Sequence, residues 1–498
     1  MRRLRSDNSN LLTVQLALPP PTLKQGYNVP FRTIHWLNDD ILLDIFNCYR
    51  LDEANGWNNQ LGWRHLSQVC QRWRHLLYEC SSHLGMHIEC SNRCPIALDT
   101  LDHLSALPLF LSYHDGAYTS NLLGQRRYED IFSNICHALR LHGRLFHLDL
   151  MLYPSRMDEV VTLMDEHFPI LKHLSLSFPY PNNPAWALPN IPNGFLAPNL
   201  RHLSLPNISP PKRLRFLMST VSLVTLKLRD IQTSSYVRPR LLVARLRSLP
   251  LLEELSIGFS MPIPHPSAER ELLGEPAAPV TFPSLKILWF KGVGVYLESL
   301  VAQIRAPLLR QLEIIFFNQI AFALPHLSYL LSITEVFKPL GVAVGFDRNR
   351  VTIDMFHHGS NSESYEQGPF LFHVTCSQLD WQIDCAAQIC PAIIPALSGV
   401  KRLTLHTNRY PDIPTELQNG VIDSATWHDL LRLFTWVKEL YISNVLLEEL
   451  SRALQVDEVG SDLGFLPNLQ SIHTKHNRFT SFIDARRVVG RPVQWYQW

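Results

Sequence analysis

A short apolar pattern recurs along most of the chain: apolar, two variable positions, apolar, one variable position, apolar. It appears as Leu145-x-x-Leu148-x-Leu150 and again from Leu171, Leu200 and Leu223. It continues as Leu252-x-x-Leu255-x-Ile257, Leu285-x-x-Leu288-x-Phe290 and Leu309-x-x-Leu312-x-Ile314. Alternation over the last three positions is the period of a strand with one buried face. Successive starts lie 26, 29, 23, 29, 33 and 24 residues apart. The intervals carry helical spacing: Met157, Val160, Val161, Met164 and Phe168; Leu214, Leu217, Met218 and Val221; Leu297, Leu300, Val301 and Ile304. Pro169, Pro198, Pro283 and Pro307 precede strands, where proline stops a helix without removing a donor from the sheet interior.

One strand and one helix every 20–29 residues or so is the unit of a leucine-rich-repeat solenoid. The expected fold is therefore α/β: parallel strands line a concave face, helices lie outside, and each unit buries its leucines against its neighbours. This irregular repeat domain is assigned to residues 145–498. Residues 91–144 read as linker and N-terminal cap, with a strand over Leu107–Tyr113 and a helix over Ile131–Leu141. The pattern blurs between Phe316 and Val400, where 342–346, 351–356, 370–376 and 379–383 look like strands around a polar loop at 359–364. The 91 residues from Leu309 to Val400 leave room for about three degenerate repeats. The pattern resumes at Val400, Val437 and Leu469. Met261–Pro279 reads as a Pro-, Ala- and Glu-rich insertion, and Phe482–Trp498 as a cap on the last repeat.

Upstream, Leu42, Ile45, Phe46 and Tyr49 fall on one helical stripe, with Asn38 placed to cap its start and Asp39 and Asp40 at the positive end of the helix dipole. A second run, Trp63–Leu77, repeats that spacing at Leu66, Val69, Cys70, Trp73, Leu76 and Leu77. Residues 31–90 resemble an F-box: leucine and paired acids at a helix start, an Ile45-Phe46 pair, then Val69-Cys70-x-x-Trp73-Arg74. Asn38 stands where the family usually has proline. The longer segment Arg50–Gly62 is similar to an insertion in fungal members, basidiomycete-type ones included. The resemblance implies three helices that dock on a Skp-type adaptor and, through it, a cullin. It implies adaptor contacts at Leu37, Asn38, Ile41, Leu42, Ile45 and Phe46, with Val69, Cys70 and Trp73 shared between contact and core. A unit this short cannot bury all its apolar surface alone.

Composition narrows the function classes. The chain has 498 residues, 46% of them hydrophobic, and a formal net charge of +1. This argues against global disorder and suggests neither a nucleic-acid nor an anionic-membrane partner. Nine scattered cysteines suit reduced thiols in a cytoplasmic or nuclear chain. Residues 1–30 read as a flexible tail. Ile314–Thr334 lacks formal charge, but Asn318, Gln319, Pro325 and His326 break it into a strand and an amphipathic helix rather than a membrane span.

No dinucleotide glycine fingerprint, phosphate loop, nucleophile elbow or zinc-ribbon cysteine spacing occurs. The chain is accordingly expected not to be an enzyme and to hold no cofactor or metal. Alternation puts His147, His173 and His202 in one column on the open face, more consistent with a polar ladder than with a metal-dependent enzyme site, since no carboxylate or thiol completes a ligand set. With His147, His173 and His202 the same face presents Lys227, Arg229, Trp289, Lys291 and Tyr441, a mixture suited to reading an as yet unidentified target protein. The expected function is the substrate-recognition subunit of an SCF-type ubiquitin ligase; a scaffold or interaction module outside a ligase is the alternative.

Overall fold

The computed structural model describes residues 37–53, 62–80, 87–91, 107–115, 125–179, 194–208, 214–232, 236–262, 278–317, 322–334, 339–356, 369–376, 379–397, 399–407, 424–454 and 465–498. The N-terminal tail, most of the 261–279 insertion and the 359–364 loop lie outside them. The chain divides into two compact units, Met1–Cys80 and Ser81–Trp498.

The first unit contains three helices, α1 (Asp39–Glu53), α2 (Gly62–Val69) and α3 (Gln71–Glu79). Asn38 caps α1 as expected: its Oδ1 accepts from the Ile41 amide at 2.9 Å. The run from Trp63 to Leu77 is two helices, because Cys70 is extended (φ −157°, ψ 169°) and caps α3 through its Sγ. Phe46 and Trp73 meet edge to face, centroids 4.9 Å apart, and with Leu42, Leu76 and Leu77 form the core. Arg72 ties the start of α3 to that of α1 through Asp39 and the Leu37 carbonyl, at 2.5 and 2.7 Å.

The second unit is built on a sixteen-stranded sheet. Its strands include β1 (Ile88–Ser91), β2 (Leu109–His114), β3 (Leu145–Met151), β4 (His173–Ser177), β5 (His202–Ser204), β6 (Thr225–Ile231) and β7 (Glu254–Phe259). After β8 (Val280–Thr281) come β9 (Ile287–Gly292), β10 (Ile304–Arg305) and β11 (Gln311–Phe316); β8 and β10 pair separately. Then follow β12 (Gly341–Phe346), β13 (Arg350–Phe356), β14 (Phe370–Thr375), β15 (Arg402–His406), β16 (Glu439–Ile442), β17 (Ser471–Thr474) and β18 (Gln494–Gln497). The middle residue of each apolar pattern lines up with the next. Leu148, Leu174, Leu203, Leu226, Leu255, Leu288 and Leu312 form one buried row across β3 to β11. Parallel register and a helix or 3-10 turn between most strands make this the leucine-rich-repeat type of α/β solenoid.

Four sequence expectations change. The sheet begins at Ile88, so β1 lies inside the 31–90 range given to the helical unit, and β2, in the 91–144 linker and cap, pairs with both β1 and β3. Residues 341–375 do supply three strands, but not as successive repeats. β14 pairs parallel with β11, β13 runs antiparallel between β14 and β12, and β12 pairs parallel with β15. The apolar row passes unbroken through this reversal, via Phe370, Met355 and Val342 to Leu403. Leu379–Ile383 is the start of a helix, Leu379–Leu397, in which Gln382, Ile383, Ala386, Ile389 and Ile393 are buried at helical spacing. Leu214–Val221 forms only a 3-10 helix, Arg215–Ser219, in the shortest interval, and leaves Met218 and Val221 exposed.

Ile314–Thr334 is part of β11 followed by the helix Pro325–Ile333. Among the described residues no helix is long and apolar enough to cross a membrane.

Candidate interaction surfaces

The helical unit sorts its apolar residues into two stripes. Leu42 and Phe46 are 0% and 2% exposed, whereas Ile41 and Ile45 are 46% and 40% exposed. Tyr49 continues the outer stripe one turn on, and Val69 at the end of α2 is 57% exposed. Leu42, Phe46 and Trp73 are therefore buried in the core of the helical unit. Cys70 is partly buried and serves as a cap, Asn38 is exposed but its side chain holds the start of α1, and Leu37 is half-buried. Of the residues implied as adaptor contacts, Ile41, Ile45 and Val69 offer free apolar surface.

On the open face of the sheet, register brings His147 beside His173 and His173 beside His202. The first two rings stack at 4.2 Å and 6°, and Phe110 of β2 stacks on His147 at 3.9 Å and 9°. His202 is tilted, 5.8 Å from His173. Parallel rings hold their nitrogen lone pairs in parallel planes, so the column does not converge on one ion. Among the described residues no group of three or more His, Cys, Asp or Glu side chains has metal-holding geometry. Burial and the neighbouring His173 depress the His147 pKa to about 4, and burial with His202 lowers that of His173. Beside the column, His114 pairs with Asp149 at 2.9 Å, and that bond raises the His114 pKa.

Further along, the charged candidates already have partners. Lys227 meets Glu254 at 2.8 Å and Lys291 meets Asp230 at 2.6 Å. Arg229 lies 4.3 Å above the Trp289 ring and donates to Ser256 at 3.3 Å. Trp289 lies against Gly258, where a Cβ would sit 2.6 Å from the ring, so this packing requires glycine. At the far end Arg402 stacks on Tyr441 at 4.5 Å and donates to its hydroxyl at 2.9 Å. Tyr441 stacks on His473 at 4.2 Å, and His473 on Tyr496 at 5.1 Å. The eight residues predicted to read a target thus fall into three groups: an imidazole ladder, an ion-pair lattice around Trp289, and an aromatic row at Tyr441. Sequence reading missed Phe110, Asp230, His473 and Tyr496. Phe110 was placed in the linker and N-terminal cap and Tyr496 in the cap on the last repeat, while Asp230 reaches Lys291 from a left-handed position (φ 55°) that no pattern marks.

Both ion pairs, Lys227–Glu254 and Lys291–Asp230, are part-buried, with side-chain exposures between 21% and 32%.

A scan against protein-family models finds no match, and a search of curated proteins finds none. Among solved structures the chain is similar to the TLR13 chain of the TLR13–ssRNA13 complex, with a TM-score of 0.30, 13% identity, and coverage of 80% of this chain and 48% of that one. It is also similar to the leucine-rich repeat-containing protein LegL7 from Legionella pneumophila, with a TM-score of 0.24, 14% identity, and coverage of 55% and 74%. The chain spans about half the length of the first of these.

Proposed function

We propose that this protein is the substrate-recognition subunit of an SCF-type ubiquitin ligase. In this reading the helical unit docks on a Skp-type adaptor joined to a cullin, and the open face of the sheet holds a target protein for a separate enzyme to ubiquitinate. The mechanism is proximity, and it asks for no catalytic residue in this chain. The observation that carries the reading is the outer stripe of Ile41, Ile45 and Tyr49, which stays exposed although Leu42 and Phe46 beside it are buried. An exposed apolar stripe on a small helical unit that resembles an F-box suits a partner helix.

The test is a pull-down with the adaptor as bait. Ile41→Asp combined with Ile45→Asp is expected to lower adaptor recovery at least tenfold while the helical CD signal is kept. Full recovery from the double variant would remove the docking assignment. Adaptor binding without polyubiquitin on co-purifying proteins would favour a scaffold outside the ligase.

A further inference from the structure

The parallel repeats enter the sheet through one backbone position that strand alternation does not describe. Its carbonyl accepts from two successive amides of the next repeat. Lys172 takes Arg201 and His202, Arg201 takes Val224 and Thr225, Lys286 takes Arg310 and Gln311, and Lys401 takes Lys438 and Glu439, all at 2.8–3.0 Å. These positions form a row along the entry edge of the sheet. It runs from Lys172 through Arg201, Val224, Glu253, Lys286 and Arg310, and resumes at Leu340, Lys401 and Lys438. Across β14 and β13, between Arg310 and Leu340, register carries it onto residues 368 and 357, outside the described ones. Lys172, Arg201, Arg310, Lys401 and Lys438 are exposed, and the Lys286 side chain is 40% exposed.

The basic residues of this row fall in three pairs on adjacent strands: Lys172 and Arg201, Lys286 and Arg310, Lys401 and Lys438. Glu253 is the one acid at the described positions, and it meets Lys286 at 2.8 Å. The other five cations have no ion pair among the described residues. Like charges side by side on neighbouring strands destabilise a sheet, and opposite charges stabilise it. On the open face neighbouring strands carry opposite signs, Lys227 against Glu254 and Arg402 against Glu439. The entry row departs from that pattern three times, in a chain whose formal net charge is +1. An anionic partner turns this repulsion into attraction.

We propose that this row is a docking surface for an acidic, extended peptide segment of a partner protein, with carboxylate side chains separated by apolar ones. Strands lie about 4.8 Å apart. The steps from β4 to β16 therefore cover about 48 Å, the length of about 15 extended residues. Leu251 and Leu340, 49% and 51% exposed, fall between the basic pairs, one beside Glu253 in sequence and one in the row itself. They suit a peptide better than a nucleic acid, whose duplex carries a charge every 1.7 Å or so, far denser than pairs of cations about 20 Å apart. A lipid surface asks for side chains that insert about 5–10 Å, a reach that half-covered leucines do not have. Docking here does not require the helical unit to bind an adaptor.

The probe is a fluorescein-labelled peptide of about 16 residues, with three Glu-Glu pairs set about six or seven residues apart and leucine and serine between them. It is titrated with the full chain and read by fluorescence anisotropy. The expected result is saturable binding that weakens as salt rises from about 0.05 M to about 0.5 M and is lost when glutamine replaces glutamate in the peptide. Lys172→Glu with Arg201→Glu, and separately Lys401→Glu with Lys438→Glu, should each weaken binding about tenfold or more with the far-UV CD spectrum unchanged. If a glutamate pair unfolds the chain, the matching glutamine pair, which adds no charge, takes its place. Binding of the glutamate peptide no tighter than that of the glutamine peptide would overturn the docking surface, as would full affinity in both double variants. Polyuridylate or phosphatidylserine vesicles bound more tightly than the peptide, with the same loss on charge reversal, would overturn the assignment of an acidic peptide as the partner.

Discussion

Ile45 and Phe46 are adjacent in sequence and act in opposite directions. Phe46 is fully packed against Trp73, and its loss leaves a cavity in a core too small to collapse around it. Phe46→Ala should cost about 3–5 kcal/mol, read as a lower denaturation midpoint of the helical unit. Ile45→Ala removes surface already partly in water and should change stability by no more than about 0.5 kcal/mol, while weakening adaptor recovery. Aspartate at Leu42 or Phe46 tests folding rather than docking. Both stripes follow the same helical spacing, so the sequence located the unit but did not separate its inner from its outer residues. Glu298 carried no signal at all. Its carboxylate accepts from the His326 and Leu327 amides at 2.8 and 2.9 Å and so caps the helix Pro325–Ile333 from the preceding repeat. Burial raises its pKa, while those two amides oppose the rise. Glu298→Ala leaves two amide donors without their acceptor, the buried Leu327 amide and the part-buried His326 amide, and should cost about 1–3 kcal/mol. Glu298→Gln, which keeps one acceptor, should cost less, and urea unfolding of both variants checks the order.

At the scale of elements, the strands were legible because every inward position of a repeat is leucine or a close substitute and the register stacks them. Strand direction was not legible. Parallel and antiparallel strands share a period of two, so Val342, Met355 and Phe370 fit the row in either sense. Leu379, Trp381 and Ile383 mimic a strand by alternation, and only the tertiary packing of Gln382, Ala386 and Ile389 makes the segment a helix. The imidazole ladder is a property of three strands together, and it predicts a pH response. His147 and His373 have pKa values depressed to about 4, and His173, His406 and His473 are also lowered, with burial the largest cause in each. The unfolded chain takes up these protons near the ordinary value of 6.5, whereas the folded chain resists them. Their contribution to stability is therefore complete above pH 6.5 and declines as pH falls toward 4. The urea midpoint should drop between pH 7 and pH 5, and His147→Phe, which can continue the Phe110 stack, should reduce the drop. An identical midpoint at both pH values would exclude the ladder as a source of acid sensitivity.

For the whole molecule, the division at residue 80 makes a separable claim about each unit. The row that organises the sheet starts at the buried Cys90 on β1 and runs through all sixteen strands to the half-buried Trp495 on β18. Among the described residues, no strand of that sheet comes from residues 1–80. At the far end Trp495 donates to Thr474 at 2.8 Å, and the buried Arg486 reaches the Pro467 and Leu469 carbonyls, so the last repeat is covered by the chain's own residues. A chain of residues 81–498 should therefore fold, with the far-UV signal of the sheet and a cooperative thermal transition. It should keep whatever target the open face binds and lose adaptor recovery, because the stripe at Ile41, Ile45 and Tyr49 is gone. Folding without adaptor binding assigns the two activities to the two units. Adaptor recovery by 81–498 would instead move docking onto the repeats and leave the exposed stripe of α1 without the role proposed for it.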